Sequence, residues 1–280
     1  MKPLLSCYQA KDILAARQRG EASVRSSLDL GKTECEWQLD EDGARADAVT
    51  LAWAALEDIA ENDSVCFALD GGAEPEPVRI FSHESNRSFQ LWPTHKAPAL
   101  VISGFLMHRV RDVTPDEGAA AMVRALGKVR GRLLDTTTGL GYAAIAATRI
   151  ASEVVSIEIE PVARELAREN PWSEELFDNP RLSLREGDSS QLIDEFAEGS
   201  FAAVLHDPPA INLAGELYAG EFYARVRRLL ARNGRFFHYI GDPDSPSGAR
   251  TTKGVVKRLH DAGFSRVNVV KEAFGVLASV

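Results

Sequence analysis

Leu133-Leu134-Asp135-Thr136-Thr137-Thr138-Gly139-Leu140-Gly141-Tyr142 opens with two apolar residues and an acid, runs through small residues that include two glycines, and passes into Ala143-Ala144-Ile145-Ala146-Ala147. That order predicts a strand, a tight turn and the start of a helix. Gly139 and Gly141 lack a Cβ, so the backbone there can turn left-handed and approach a ligand, while the first turn of the helix offers unpaired N–H groups. The arrangement suits a nucleotide-like cofactor. Such a site also needs an acid at the end of the next strand for ribose hydroxyls and a polar contact for the base. Glu158, closing Val154-Val155-Ser156-Ile157-Glu158, and Asp188, after Gly187, supply both.

Outward from this turn the chain alternates between strand and helix patterns. Strands are expected at Leu100–Ser103, Arg132–Asp135, Val154–Glu158, Arg181–Glu186, Ala202–Asp207 and Arg235–Ile240. Helices are expected at Pro115–Leu126, Tyr142–Ile150, Pro161–Glu169, Gln191–Phe196, Gly220–Leu230 and Gly254–Ala262. This rhythm predicts an α/β domain with a doubly wound, mostly parallel sheet. The last two strands, near Arg266–Lys271 and Phe274–Ala278, are separated by Glu272-Ala273 alone, too short for a parallel crossover, and so form an antiparallel hairpin at one edge. Before residue 99 the rhythm is absent. A helix over Gln9–Arg19, a hairpin of Ser23–Leu30 with Glu34–Asp40, a helix over Leu51–Ile59 and strands at Val65–Leu69, Val78–Phe81 and Ser88–Trp92 predict a small mixed α+β domain over residues 1–98. The proline-bearing stretch Trp92–Pro98 links it to a domain over residues 99–280. The first domain is a candidate substrate lid or oligomerisation module, which leaves room for a homo-oligomer.

Apolar residues make up 45% of the 280-residue chain and charged residues 26%, a composition that can bury a sizeable core. No window approaches the ~20 apolar residues of a membrane span, and the start of the chain lacks the apolar region of a secretory signal, so a cytoplasmic protein with no membrane partner is expected. Cys7, Cys35 and Cys66 are odd in number and far apart, which argues against a disulfide framework and a zinc site. A formal charge of −9 repels polyanions at long range. RNA would need Arg225, Arg227, Arg228 and Arg232 on one face beside the site, and a small-molecule acceptor is favoured over it. His108, His206 and His238 have no second ligand at helical spacing, so hydrogen-bonding roles are expected and no metal.

The motifs Asp135-Thr136-Thr137-Thr138-Gly139-Leu140-Gly141, Val154–Glu158, Gly187-Asp188 and Asp207-Pro208-Pro209, in that order before a closing hairpin, resemble the Rossmann-like class I S-adenosylmethionine-dependent methyltransferases. Thr137 stands where that family has its first glycine, so the turn differs or the hydroxyl serves as a ligand contact. A second resemblance is carried by Ala214-Gly215-Glu216-Leu217-Tyr218-Ala219-Gly220-Glu221-Phe222-Tyr223 and Arg228-Leu229-Leu230-Ala231-Arg232-Asn233-Gly234. These look like the region after the catalytic turn in spermidine synthase-like aminopropyltransferases, which also carry a small N-terminal β-rich domain. With Met107-His108-Arg109 and Asn170-Pro171-Trp172-Ser173 added, the whole chain is most similar to a family of predicted methyltransferases of unsettled substrate.

The resemblance implies S-adenosyl-L-methionine as cofactor, held by Asp135, Thr137, Thr138, Gly139, Gly141, Glu158, Asp188, Asp207 and Pro208. It implies methyl transfer to an amine-bearing or other small nucleophile, with Asp207 as the catalytic group and Pro209, Tyr218, His108 and Arg109 on the substrate side. A sulfonium carbon is already electrophilic, and the nucleophile behind it needs orientation more than strong acid or base help. A carboxylate such as Asp207 can accept an amine N–H and take its proton. Ala210 stands where amino-group methyltransferases of nucleobases carry an aromatic residue, which counts against a flipped base. Aminopropyl transfer from decarboxylated S-adenosylmethionine is the alternative reaction, and a non-catalytic cofactor-binding protein the alternative outside catalysis.

Overall fold

The computed structural model describes residues 2–70 and 74–280, leaving Met1 and residues 71–73 outside the described residues, and the chain divides into two compact units. One unit joins Met1–Asp116 to Val162–Glu174, and the other joins Glu117–Pro161 to Glu175–Val280.

The second unit is built on a seven-stranded sheet: β1 (Arg132–Asp135), β2 (Glu153–Glu158), β3 (Leu182–Glu186), β4 (Phe201–His206), β5 (Leu230–Tyr239), β6 (Arg266–Val270) and β7 (Gly275–Ser279). Their order across the sheet is β3-β2-β1-β4-β5-β7-β6. All neighbours are parallel except β7, which runs antiparallel to both β5 and β6. The fold is therefore the expected doubly wound α/β sheet, with the closing hairpin inserted so that β6 forms the edge.

β1 lies beside both β2 and β4, the point at which strand order reverses, and ligands of open α/β sheets bind outside the carboxyl ends of the strands there. Strands covered on both faces read as apolar runs. Leu133 and Leu134 of β1 and Ala203, Val204 and Leu205 of β4 are fully buried. In the helix Gly220–Leu229, Phe222, Tyr223, Val226 and Leu229 fall on one side at helical spacing and are likewise fully buried. They join Phe201, Phe236, Phe264 and Val276 in the core of this unit.

Among the described residues, the first unit contains three small antiparallel sheets. Its helix Cys7–Gln18 starts at a capping box in which Ser6 and Gln9 satisfy each other's end of the backbone. The strand read at Leu100–Ser103 does not open the parallel sheet. It forms as Ala99–Ile102 and pairs antiparallel with Arg87–Trp92, because the six residues between them cannot make a parallel crossover. The helix read at Leu51–Ile59 is split between a strand, Val49–Ala52, and a helix, Trp53–Glu61. Segment 162–174 completes this unit: Trp172 Nε1 donates to the Leu30 carbonyl (3.2 Å) and Lys32 Nζ to that of Pro171 (2.9 Å). Burial raises the pKa of all three free cysteine thiols, which keeps them protonated. No helix among the described residues is long and apolar enough to cross a membrane.

Candidate active site

The parallel register sets Asp135 of β1 opposite Ser156 of β2 on one side and Leu205 of β4 on the other. Three strand ends thus deliver three acids to one edge of the sheet: Asp135, Glu158 and Asp207. Each is held differently.

Asp135 is fully buried, and its Oδ2 accepts from the Ser156 hydroxyl at 2.7 Å. Ser156 Oγ in turn accepts from Thr138 Oγ1 at 2.6 Å, so the Thr138 hydroxyl is spent inside the protein. Asp135 Oδ1 and the neighbouring Thr137 Oγ1 are both buried without a hydrogen-bond partner. Leaving such groups unmet costs about 1–3 kcal/mol each, so each is open to a partner from outside the protein. Burial pushes the Asp135 carboxyl up to about 7, against the pull of the Ser156 hydrogen bond and with added repulsion from Asp207 and Glu158.

The glycine turn is organised by Glu158. Its Oε2 accepts from the Gly139 N–H at 2.7 Å and its Oε1 from the Glu160 N–H at 2.9 Å, and burial raises its pKa to about 7 despite these bonds. Gly139 has φ +53°, and a side chain there would point into open space. Gly141 has φ +82°, and a Cβ would lie 2.7 Å from both Leu176 methyl carbons. One glycine borders open space; the other lets the turn pack.

Asp207 follows β4. Although part of its surface reaches solvent, the surrounding protein desolvates the carboxyl and lifts it to about 7, and no hydrogen bond from the described residues reaches it. Its turn is braced from the far side by Tyr218, whose hydroxyl donates to the Pro209 carbonyl (3.1 Å). Tyr218 is nearly fully buried, and burial together with the Asp207 charge raises its pKa. Pro208 is buried behind the turn and Pro209 partly exposed on it.

The remaining candidates have visible local work. Asp188 caps the short helix Ser189–Leu192, accepting from the Ser190 N–H at 2.7 Å, as the local pattern allowed. His108 and Arg109 belong to the first unit, where His108 Nδ1 accepts from the Leu100 N–H (3.0 Å) and burial lowers the ring's pKa to about 4. Arg225, Arg227 and Arg228 donate to the carbonyls of Ser190, Gly263 and Phe196, respectively. Among the described residues no group of three or more His, Cys, Asp or Glu is placed to hold a metal ion. Ser156, which links Asp135 to Thr138, was missed by motif reading. Its signal was there in the strand alternation, which points Ser156 and Glu158 to the same face.

No family model matches the sequence. The uncharacterized protein MJ1233 of Methanocaldococcus jannaschii is 36% identical over 276 residues, a match spanning 96% of this chain and 92% of that protein. The chain belongs to the MJ1233 family. A relative of this MJ1233-family chain with a named activity, polyamine aminopropyltransferase 2 of Streptomyces coelicolor, is 29% identical over 174 residues, covering 58% of this chain and 31% of that protein. Two solved structures share its fold. One is a spermidine synthase in complex with the transition-state analogue AdoDATO, with TM-score 0.58, 15% identity and 72% of each chain covered. The other is the spermidine synthase of Thermotoga maritima, with TM-score 0.57, 14% identity, and 72% of this chain and 71% of that chain covered.

These findings overturn methyl transfer, the reaction expected from the motifs. A relative with a named activity is an aminopropyltransferase, and both solved structures described above are spermidine synthases. The physical reason is that motifs of this kind, where they hold an adenosyl group, do not fix which carbon on the sulfonium faces the nucleophile.

Proposed function

We propose that this protein is a spermidine synthase-like aminopropyltransferase that moves the aminopropyl group of decarboxylated S-adenosylmethionine onto an amine of a polyamine acceptor. The observation that carries the reading is that Asp135 Oδ1 and Thr137 Oγ1, two residues apart at the start of the glycine turn, are both buried without a hydrogen-bond partner, while a side chain at Gly139 in the same turn would meet open space. A carboxylate oxygen and a hydroxyl set together suit an ammonium group, which has N–H donors and a positive charge. Asp135, Glu158 and Asp207 also make the edge hostile to a ligand carboxylate, so the decarboxylated cosubstrate fits better than S-adenosylmethionine itself. The likeness to polyamine aminopropyltransferase 2 supports the same class of acceptor.

In this reading Glu158 and the backbone around Gly139 hold the ribose, Asp188 flanks the adenine, and Asp135 with Thr137 holds the aminopropyl ammonium. When bound, the cosubstrate supplies an electrophilic methylene next to its sulfonium. Asp207 accepts an N–H of the acceptor amine and aims the lone pair at that methylene. As the N–C bond forms and the C–S bond breaks, the Asp207 carboxylate takes the amine's proton, and 5′-methylthioadenosine is released. The bracing of the Asp207 turn by Tyr218 keeps the carboxylate in place, which matters because alignment supplies most of the acceleration in such a displacement.

The test is to incubate the protein with decarboxylated S-adenosylmethionine and putrescine or spermidine, then measure aminopropylated polyamine and 5′-methylthioadenosine by mass spectrometry. Equal amounts of the two products are expected. Asp207→Asn should lower the rate by about 100-fold or more. The wild-type rate should lose an additional step as pH falls through about 7, where Asp207 takes up a proton, and the Asn variant should lack that step. No product from any amine, with S-adenosylmethionine bound more tightly than its decarboxylated form, would end this reading.

A further inference from the structure

Directly before Asp207, the His206 ring is fully buried and packed between aromatic rings, with centroids 4.9 Å from Phe222, 5.8 Å from Phe236 and 4.6 Å from His238. Both of its nitrogens are engaged. Nε2 lies 3.0 Å from the Leu217 carbonyl, and Nδ1 lies 2.6 Å from Thr136 Oγ1. A carbonyl can only accept, so the proton of the neutral ring sits on Nε2, and Nδ1 accepts from the Thr136 hydroxyl. Burial keeps the ring neutral, lowering its pKa to about 3.

The two partners belong to different turns. Thr136 is the first residue of the glycine turn, fixed to β4 by its own N–H on the Leu205 carbonyl (3.1 Å). Leu217 lies in the turn Gly215–Tyr218, whose Tyr218 braces the Pro209 carbonyl. One ring therefore connects the cofactor turn to the brace under Asp207, through Thr136, His206, Leu217, Tyr218 and Pro209.

We propose that His206 is a positioning residue that locks the glycine turn and the Tyr218 turn into one unit, so that a nucleoside bound at the first firms the second. The lock itself follows from the geometry of the free protein; its response to a nucleoside rests on the aminopropyl-transfer reading.

Amide hydrogen exchange on Thr136→Val and Thr136→Ser tests it. Valine keeps the shape and loses the donor, whereas serine keeps the donor. In the free protein, Thr136→Val should speed exchange by roughly fivefold at the Leu217 and Ala219 amides, which close this turn, while Thr136→Ser should not. Amides of β7, in the same sheet, should be unchanged in both. With 5′-methylthioadenosine added, protection of the turn should rise in the wild type and fail to rise in Thr136→Val. If the valine variant unfolds, nitrogen NMR of the wild type still decides: His206 must carry its proton on Nε2 at neutral pH. Unchanged turn exchange in Thr136→Val, or a His206 proton on Nδ1, overturns the proposal. Absence of 5′-methylthioadenosine binding overturns the reaction reading and the ligand response, and leaves the lock standing on the free-protein exchange.

Discussion

A carboxyl group held away from water works against its own fold once it is charged. Asp207 illustrates the sign. Its native pKa of about 7 lies above the ordinary aspartate value near ~4, so the native state holds its proton longer than the unfolded state. The associated stability is complete below ~4 and is lost as pH rises to about 7. Asp207→Asn has no charge to desolvate. Its stability advantage over wild type should be near zero at pH 4 and reach about 1–3 kcal/mol at pH 8, read from urea denaturation at several pH values. A flat difference across that range would place Asp207 in solvent. Asp135, Glu158 and Asp207 were legible in the sequence because each stands at or directly after the end of an apolar strand, where a chain position implies a place in space. The partners of Thr136 were not. His206 lies 70 residues away and reaches it only because β1 and β4 are neighbours, and a residue pattern gives strand direction more readily than strand neighbours.

At the scale of elements, the glycine turn is held by two constraints that a substitution can separate. Gly141→Ala should destabilise the protein by about 1–4 kcal/mol, from the left-handed φ and from the Cβ meeting Leu176. Adding Leu176→Ala should recover the clash but leave the backbone strain, so the double variant should be less impaired than the sum of the two single variants in chemical denaturation. The strand and helix sequence of the parallel sheet could be read because its elements are periodic and bounded by turns. The first unit could be read less well. Its Gly43–Ala46 and Val49–Ala52 strands are four residues each, joined by Asp47-Ala48, and a pattern that short does not distinguish a hairpin from the start of a helix.

For the whole molecule, the units do not follow the chain as two consecutive blocks, because segment 162–174 belongs with the N-terminal residues. A fragment of residues 99–280 would keep Trp172 and Pro171 but lack Leu30 and Lys32, their hydrogen-bond partners. It should melt with lower cooperativity and at a lower temperature than the full chain, measurable by calorimetry; an unchanged transition would mean that the segment needs no partner from the first unit. The same threading sets a timetable at the ribosome. The last residue of the first block, Asp116, is made 58 residues before Glu174 (174 − 116 = 58). At about 5–20 residues per second, the nascent first unit waits roughly 3–12 seconds for its final piece. During that wait the first two strands of the parallel sheet have already left the exit tunnel or entered it, so the N-terminal unit must finish folding while its neighbour is half written.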